Sequence, residues 1–344
     1  MVSHPLQCLT FSLLILPPLI LSTYFLAAFP KPPEPLYMHS SLASLPKTSK
    51  TWEIYPEDFY PNGAYVAFPS GRVRYWLLGP EEGRKIVLIH GLSIPAMIWK
   101  NIAPELASRG YRVLLYDLYG RGYSDAPQTT YDANLYVTQL ALLMQYLKWD
   151  RALITGVSMG GGIAAAFTGS FPHLVEDQIV LIASAGLIET NDLPRTAKFM
   201  SSPLVQTVAA SAPVRKYLQG LINSTHHAEK DQLDPIIVRM QSAHLPGYNA
   251  ALSSSLRDGP IRGQAAALSS TGFKNRKVLL IHGTKDQTVF YKYASKILET
   301  LPPETQTQSQ LVTVEDGGHD LTITHSDLIV QNLLAFYAGP KPTA

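Results

Sequence analysis

Six short runs that are apolar at nearly every position constrain this chain more than any other feature. They are Lys85–Ile89 (KIVLI), Arg112–Asp117 (RVLLYD), Arg151–Thr155 (RALIT), Gln178–Ala183 (QIVLIA), Lys277–Ile281 (KVLLI) and Gln310–Val314 (QLVTV). A strand with one wet face alternates apolar and polar residues; a continuous apolar run suits a strand covered on both faces, as in a parallel sheet. Helix-spaced segments separate the runs at Ala96–Arg109, Tyr131–Leu147, Gly160–Ser170, Tyr291–Leu301 and Ser326–Tyr337. Strand–helix alternation implies right-handed crossovers, hence an α/β fold with a mostly parallel, doubly wound sheet. In such sheets, sites form at the carboxyl ends of the strands. Ahead of the first run, Ala64–Phe68 and Val73–Leu78 read as a hairpin around Pro69-Ser70-Gly71.

The alternation stops between Leu187 and Phe273. That stretch carries helix-spaced apolars such as Leu204 and Val208, or Val214, Leu218 and Ile222, and reads as a helical cap inserted at about 188–272. Its basic residues (Arg195, Lys198, Arg215, Lys216, Lys230, Arg239, Arg257 and Arg262) are expected on a solvated outer face. Its apolar faces are expected to line a pocket. Over the 344 residues, 28 basic and 26 acidic side chains give a net charge of +2 without a long basic run, which argues against nucleic acid as a main partner. The lone cysteine, Cys8, excludes an intramolecular disulfide framework and a cysteine-based zinc site.

The amino terminus differs in kind. Leu6–Phe29 carries no charge, and about 20 apolar residues suffice to cross a bilayer core. Residues 1–30 are therefore expected to form a single-pass membrane anchor, with Pro17 and Pro18 kinking it. A cleaved signal peptide is the rival, though the segment lacks a basic start and small residues at a cleavage site. Residues 31–51, with Pro32, Pro33, Pro35 and Pro46, read as a semi-rigid linker to a globular domain at 52–344. Lys31, Lys47 and Lys50 on the carboxyl side weakly place that domain in the cytoplasm, whereas the sequon Asn223-Ser224-Thr225 is usable only in the lumen.

Gly156-Val157-Ser158-Met159-Gly160 fits G-x-S-x-G, and its context makes the match specific. A strand-like run ends just before it and a small-residue helix, Gly160-Gly161-Gly162-Ile163-Ala164-Ala165-Ala166, follows. That is the strand–turn–helix of a nucleophile elbow, which holds a serine in strained backbone geometry. A serine nucleophile needs a base. Of ten histidines only His319, in Asp316-Gly317-Gly318-His319-Asp320, follows the last strand-like run. His90 and His282 sit in Ile-His-Gly turns and read as structural. His226-His227 lacks the third ligand of a metal site. Asp286, after Lys277–Ile281, would fix the tautomer of His319. Asp117, Asp125, Glu189 and Asp192 also follow strand-like runs and are the alternatives for the orienting acid. Oxyanion donors are expected at the Met159 N–H, next to the nucleophile, and at the Leu92 N–H in His90-Gly91-Leu92-Ser93.

Taken together, HGLS at 90–93, DLYGRGYSD at 117–125, GVSMG at 156–160, GTKD at 283–286 and GGH at 317–319 resemble the α/β-hydrolase superfamily, in its serine-nucleophile branch with a helical cap. The order Ser158, Asp286, His319 is the order of that superfamily. The resemblance implies a Ser–His–Asp triad without a cofactor or metal, acting mainly on esters, lipids or related acyl compounds. It also implies that Gly120, Arg121, Gly122 and Ser124 belong to a mostly structural loop beside the site. A serine, unlike the aspartate of epoxide hydrolases and haloalkane dehalogenases, suits acyl transfer through an acyl-enzyme. The leading expectation is a carboxylic- or lipid-ester hydrolase acting on a small hydrophobic substrate. C–C bond hydrolysis, acyl transfer, a cofactor-free peroxidase-like activity, or ligand binding without catalysis on the same fold are the alternatives.

Overall fold

The computed structural model describes residues 4–28, 35–49, 51–193 and 233–338, with parts of 195–217. The sequon at Asn223, the pair His226-His227, and Leu218 and Ile222 of the expected cap lie outside the described residues.

Eight strands form one sheet: β1 (Gly63–Phe68), β2 (Gly71–Leu78), β3 (Lys85–Ile89), β4 (Arg112–Tyr116), β5 (Ala152–Val157), β6 (Val175–Ile182), β7 (Lys277–Gly283) and β8 (Gln310–Val314). Their spatial order is β8-β7-β6-β5-β3-β4-β2-β1. β1 pairs antiparallel with β2, and β2 with β4. Every other pairing is parallel. The order folds back between β3 and β4, so the chain winds helices onto both faces.

Alternate residues of each central strand enter opposite cores, as the two-residue period requires. Val87, Ile89, Leu114, Ile154, Ile179 and Leu280 pack on one face with Leu140, Ile163, Phe167 and Ile297. Ile86, Leu88, Leu115, Leu153, Val180 and Ile281 pack on the other with Trp99, Leu106, Leu333 and Phe336. β5 is buried at every position.

Helix α1 (His4–Ala28) falls in a unit, Met1–Tyr37, separate from Met38–Ala344. The expected membrane anchor at Leu6–Phe29 is corrected here: among the described residues no helix is long and apolar enough to cross a membrane. Pro17 and Pro18 lie inside this helix, where each lacks the N–H that would bond back to the preceding turn. The expected single-pass localisation, and the sidedness read from it, are corrected on the same finding.

Residues 38–49, inside the expected linker, pack on the globular unit. Met38–His39 pairs antiparallel with Ala126–Pro127, and Leu42 is buried, its N–H bonded to Gly122 O at 3.1 Å. The expected helix Ala96–Arg109 is two pieces, a 3-10 turn Ala96–Trp99 and a helix Ala103–Ser108. Pro104 has no N–H to return to the preceding turn, so the helix restarts around it. The segments over Tyr131–Leu147 and Gly160–Ser170 form α2 (Ala133–Tyr146), capped by Asp132 on Leu135 N at 2.9 Å, and α3 (Met159–Ser170).

Between β6 and β7 the described residues hold helices and no strand, among them Arg195–Met200, α4 (Leu233–His244) and α5 (Tyr248–Asp258). Ile237, Met240, Tyr248 and Leu252 are buried in the core that contains Trp99. Leu204 and Val208 are exposed instead, at 74% and 55%.

Candidate active site

β5 delivers Ser158 to the carboxyl end of the sheet in a sharp turn into α3. Its backbone stands at φ 56°, ψ −122°, a left-handed conformation that costs a non-glycine residue about 1–3 kcal/mol. The neighbours over-determine it: Ser158 N–H donates to Ile182 O at 3.0 Å, and Ser158 O accepts from Gly161 N and Ala185 N, each at 3.0 Å. The turn also requires its glycines. A Cβ on Gly156 would lie 2.1 Å from Gly160 O, and one on Gly160 would lie 2.2 Å from Ile89 O.

The three side chains expected to act together meet here. His319 Nδ1 lies 2.8 Å from Asp286 Oδ2, and His319 Nε2 lies 2.9 Å from Ser158 Oγ. Asp286 is buried on the loop after β7, and its Oδ1 accepts the N–H groups of Thr288 and Val289 at 2.8 Å each. Burial pushes its pKa up, but hydrogen bonds from His282 and His319, the His319 charge and the Val289 amide outweigh it and hold the carboxyl well below its usual range. An ionised Asp286 that accepts the Nδ1–H leaves Nε2 free to take the Ser158 proton.

The competing acids are engaged elsewhere. Asp117 accepts the N–H groups of Ala96 and Tyr123 at 2.8 Å each, and the Tyr55 hydroxyl at 3.2 Å. Asp125 binds Arg72, Glu189 binds Lys296, and Asp192 binds Lys292.

Of the two expected oxyanion amides, Met159 N–H opens α3 directly after Ser158. Leu92 lies across the site on the loop after β3, and among the described residues its N–H has no acceptor. His90 braces this loop. Leu118 N–H donates to its Nε2 at 2.9 Å, so the proton sits on Nδ1 and is donated to Gly91 O at 2.8 Å. Burial lowers the His90 pKa to about 3, so the ring is neutral. His282, the other histidine of an Ile-His-Gly turn, donates through Nε2 to Val289 O at 2.7 Å and lies 3.4 Å from Asp286 Oδ2.

Ser158 and His319 open onto a cavity of about 680 Å3. Ile98, Ile188, Leu193, Val238, Leu252 and Val289 are among its apolar walls, and Arg239 alone of the cap's basic residues lines it among the described ones. Two contacts to the loop carried no sequence signal. Gln241 Nε2 and Tyr248 Oη, both from cap helices, donate to Ser93 O at 2.9 and 3.1 Å. They lie 148 and 155 residues from Ser93, so no local pattern could mark them.

A family model described as alpha/beta hydrolase fold matches residues 85–326. An uncharacterised protein of Mycobacterium tuberculosis is 28% identical over 248 residues, covering 69% of this chain and 70% of its own. The 2-hydroxy-6-oxo-2,4-heptadienoate hydrolase of Pseudomonas putida is 27% identical over 266 residues, covering 75% of this chain and 90% of its own. The crystal structure of a hydrolase from Pseudomonas aeruginosa matches with a TM-score of 0.64 at 20% identity, over 81% of this chain and 99% of that one, which is a likeness of fold.

Proposed function

From the premise that the chain belongs to the α/β-hydrolase fold family, we propose that it is a serine hydrolase cleaving carboxylic or lipid esters through an acyl-enzyme. The observation that carries this is the unbroken line from Asp286 through His319 to Ser158, at 2.8 and 2.9 Å, on the wall of an apolar cavity. Ser158 Oγ attacks the ester carbonyl as its proton passes to His319 Nε2. Asp286 holds the imidazole in the correct tautomer and stabilises the imidazolium. Leu92 and Met159 N–H receive the oxyanion. Collapse returns the proton to the departing alcohol, and water, activated by the same histidine, then releases the acid.

The apolar walls favour medium or long acyl chains over acetate. A fluorophosphonate probe should label the protein and fail to label Ser158→Ala; undiminished labelling of that variant would remove Ser158 as the nucleophile. kcat/KM should rise along a series of p-nitrophenyl esters from acetate to octanoate, and equal values would count against an acyl pocket. A second reading, C–C bond hydrolysis, is favoured by the likeness to the 2-hydroxy-6-oxo-2,4-heptadienoate hydrolase of Pseudomonas putida. Turnover of a vinylogous 1,5-diketo acid faster than any ester would move the assignment there.

A further inference from the structure

We propose that Arg121 is a positioning residue that aims the Leu92 amide and ties it to the cap through Ser255, an inference that rests on the ester-hydrolase reading above. Arg121 is completely buried, yet each of its hydrogen bonds goes to a neutral oxygen. Burying a cation among neutral acceptors is expensive, and an apolar side chain of similar size serves stability alone as well or better. What the guanidinium holds gives the reason for its presence.

Nε donates to Leu92 O at 2.9 Å, Nη1 to Tyr119 O at 3.1 Å and to Tyr136 Oη at 3.0 Å, and Nη2 to Ser255 Oγ at 2.9 Å. One rigid, planar fork therefore joins the loop after β3, helix α2 and cap helix α5, a geometry that the single ammonium of lysine cannot reproduce. The far end is fixed in turn: Ser255 Oγ lies 2.7 Å from Tyr136 Oη and donates to Ala251 O at 2.7 Å.

The carbonyls on both sides of the Leu92 amide are thereby immobilised, Gly91 O by His90 and Leu92 O by Arg121. Between them the Leu92 N–H is held with no acceptor among the described residues. An oriented amide that no described residue of the protein engages is what stabilisation of a developing oxyanion requires.

The test compares phenyl butyrate with O-phenyl thionobutyrate, whose sulfur accepts hydrogen bonds weakly. In Arg121→Gln, kcat for the oxoester should fall about 10- to 100-fold with KM little changed, because a misaimed donor loses part of the 10²–10³ that an absent one costs. The oxoester/thionoester rate ratio should fall with it. Ser255→Ala keeps the bond to Leu92 and removes the cap tie; its ratio should fall about threefold. If Arg121→Gln slows both substrates equally, or raises KM alone, Arg121 is merely structural and the inference is overturned. If Arg121→Gln does not fold, an unchanged ratio in Ser255→Ala overturns it. Wild-type turnover that survives Ser158→Ala would instead sink the hydrolase reading, an outcome readable without either variant.

Discussion

Asp117 and Asp286 occupy equivalent places, each buried just beyond a parallel strand and each accepting two backbone N–H groups, yet their pKa values move in opposite directions. At Asp117 burial prevails over the amides of Tyr123 and Ala96 and the Tyr55 hydroxyl, and lifts the pKa to about 6. At Asp286 the same penalty is overcome by His282, His319 and the Val289 amide. Neutral donors soften the cost of an ionised buried carboxylate, whereas an imidazole able to take a proton reverses it. The first carboxylate pins loops together beside the sheet. The second is aimed at a base.

The largest separation of the two should come from amide substitutions. Asp286→Asn keeps an Oδ1 for Thr288 and Val289 but can present an NH2 group to His319, favouring the wrong tautomer. We expect kcat on p-nitrophenyl butyrate to fall about 10³–10⁴-fold with the melting transition retained. A loss under tenfold would strip Asp286 of its role. Asp117→Ala should do the reverse. It leaves the Ala96 and Tyr123 amides without their acceptor and should cost about 3 kcal/mol in urea unfolding, while activity per folded molecule stays within a fewfold of wild type.

That contrast could not be drawn from the sequence, where both residues are simply aspartates after apolar runs. The runs themselves were legible because burial on both faces leaves no polar position: Lys85–Ile89 and Gln310–Val314 are strands over those residues. Ser158, Asp286 and His319 could be picked out because each follows a strand of one sheet, whose carboxyl ends converge. What escaped was settled by distant partners. Ser255 meets Arg121 across 134 residues, and Leu204 and Val208 keep a helical spacing although they face outward. The break before Pro104 was local, but apolar periodicity on either side masked it.

A pH titration sharpens the comparison further. A carboxyl whose pKa is raised on folding contributes stability below its ordinary value near 4, and that contribution is lost as pH rises towards its folded value. For Asp117 the window is about pH 4 to 6. Asp286, with its pKa lowered, contributes above its ordinary value and loses that contribution as pH falls. The stability of wild type relative to Asp117→Asn should therefore increase as pH drops from 7 to 4. Relative to Asp286→Asn it should decrease over the acid end of the same range. Parallel curves for the two variants in thermal melts would erase the distinction.

The smallest expected effect tests what sets Asp286 apart from Asp117 at closest range. His282 Nε2 donates to Val289 O and lies 3.4 Å from Asp286 Oδ2, the oxygen that also faces His319 Nδ1. His282→Ala would unfasten the Val289 end of the turn and remove one stabilising donor from the carboxylate. The aspartate should become a poorer partner for His319, and kcat should fall about tenfold, equivalent to about 1.4 kcal/mol in the barrier. His282→Gln, whose side-chain amide can still donate towards Val289 O, should recover most of that loss, to within about threefold of wild type. Recovery by glutamine would place the effect in hydrogen bonding to the turn. Equal losses in both variants would place it in the packing of the ring against Tyr291, which stands edge-on at 5.9 Å. Asp286 would then owe its low pKa to His319 and the backbone alone.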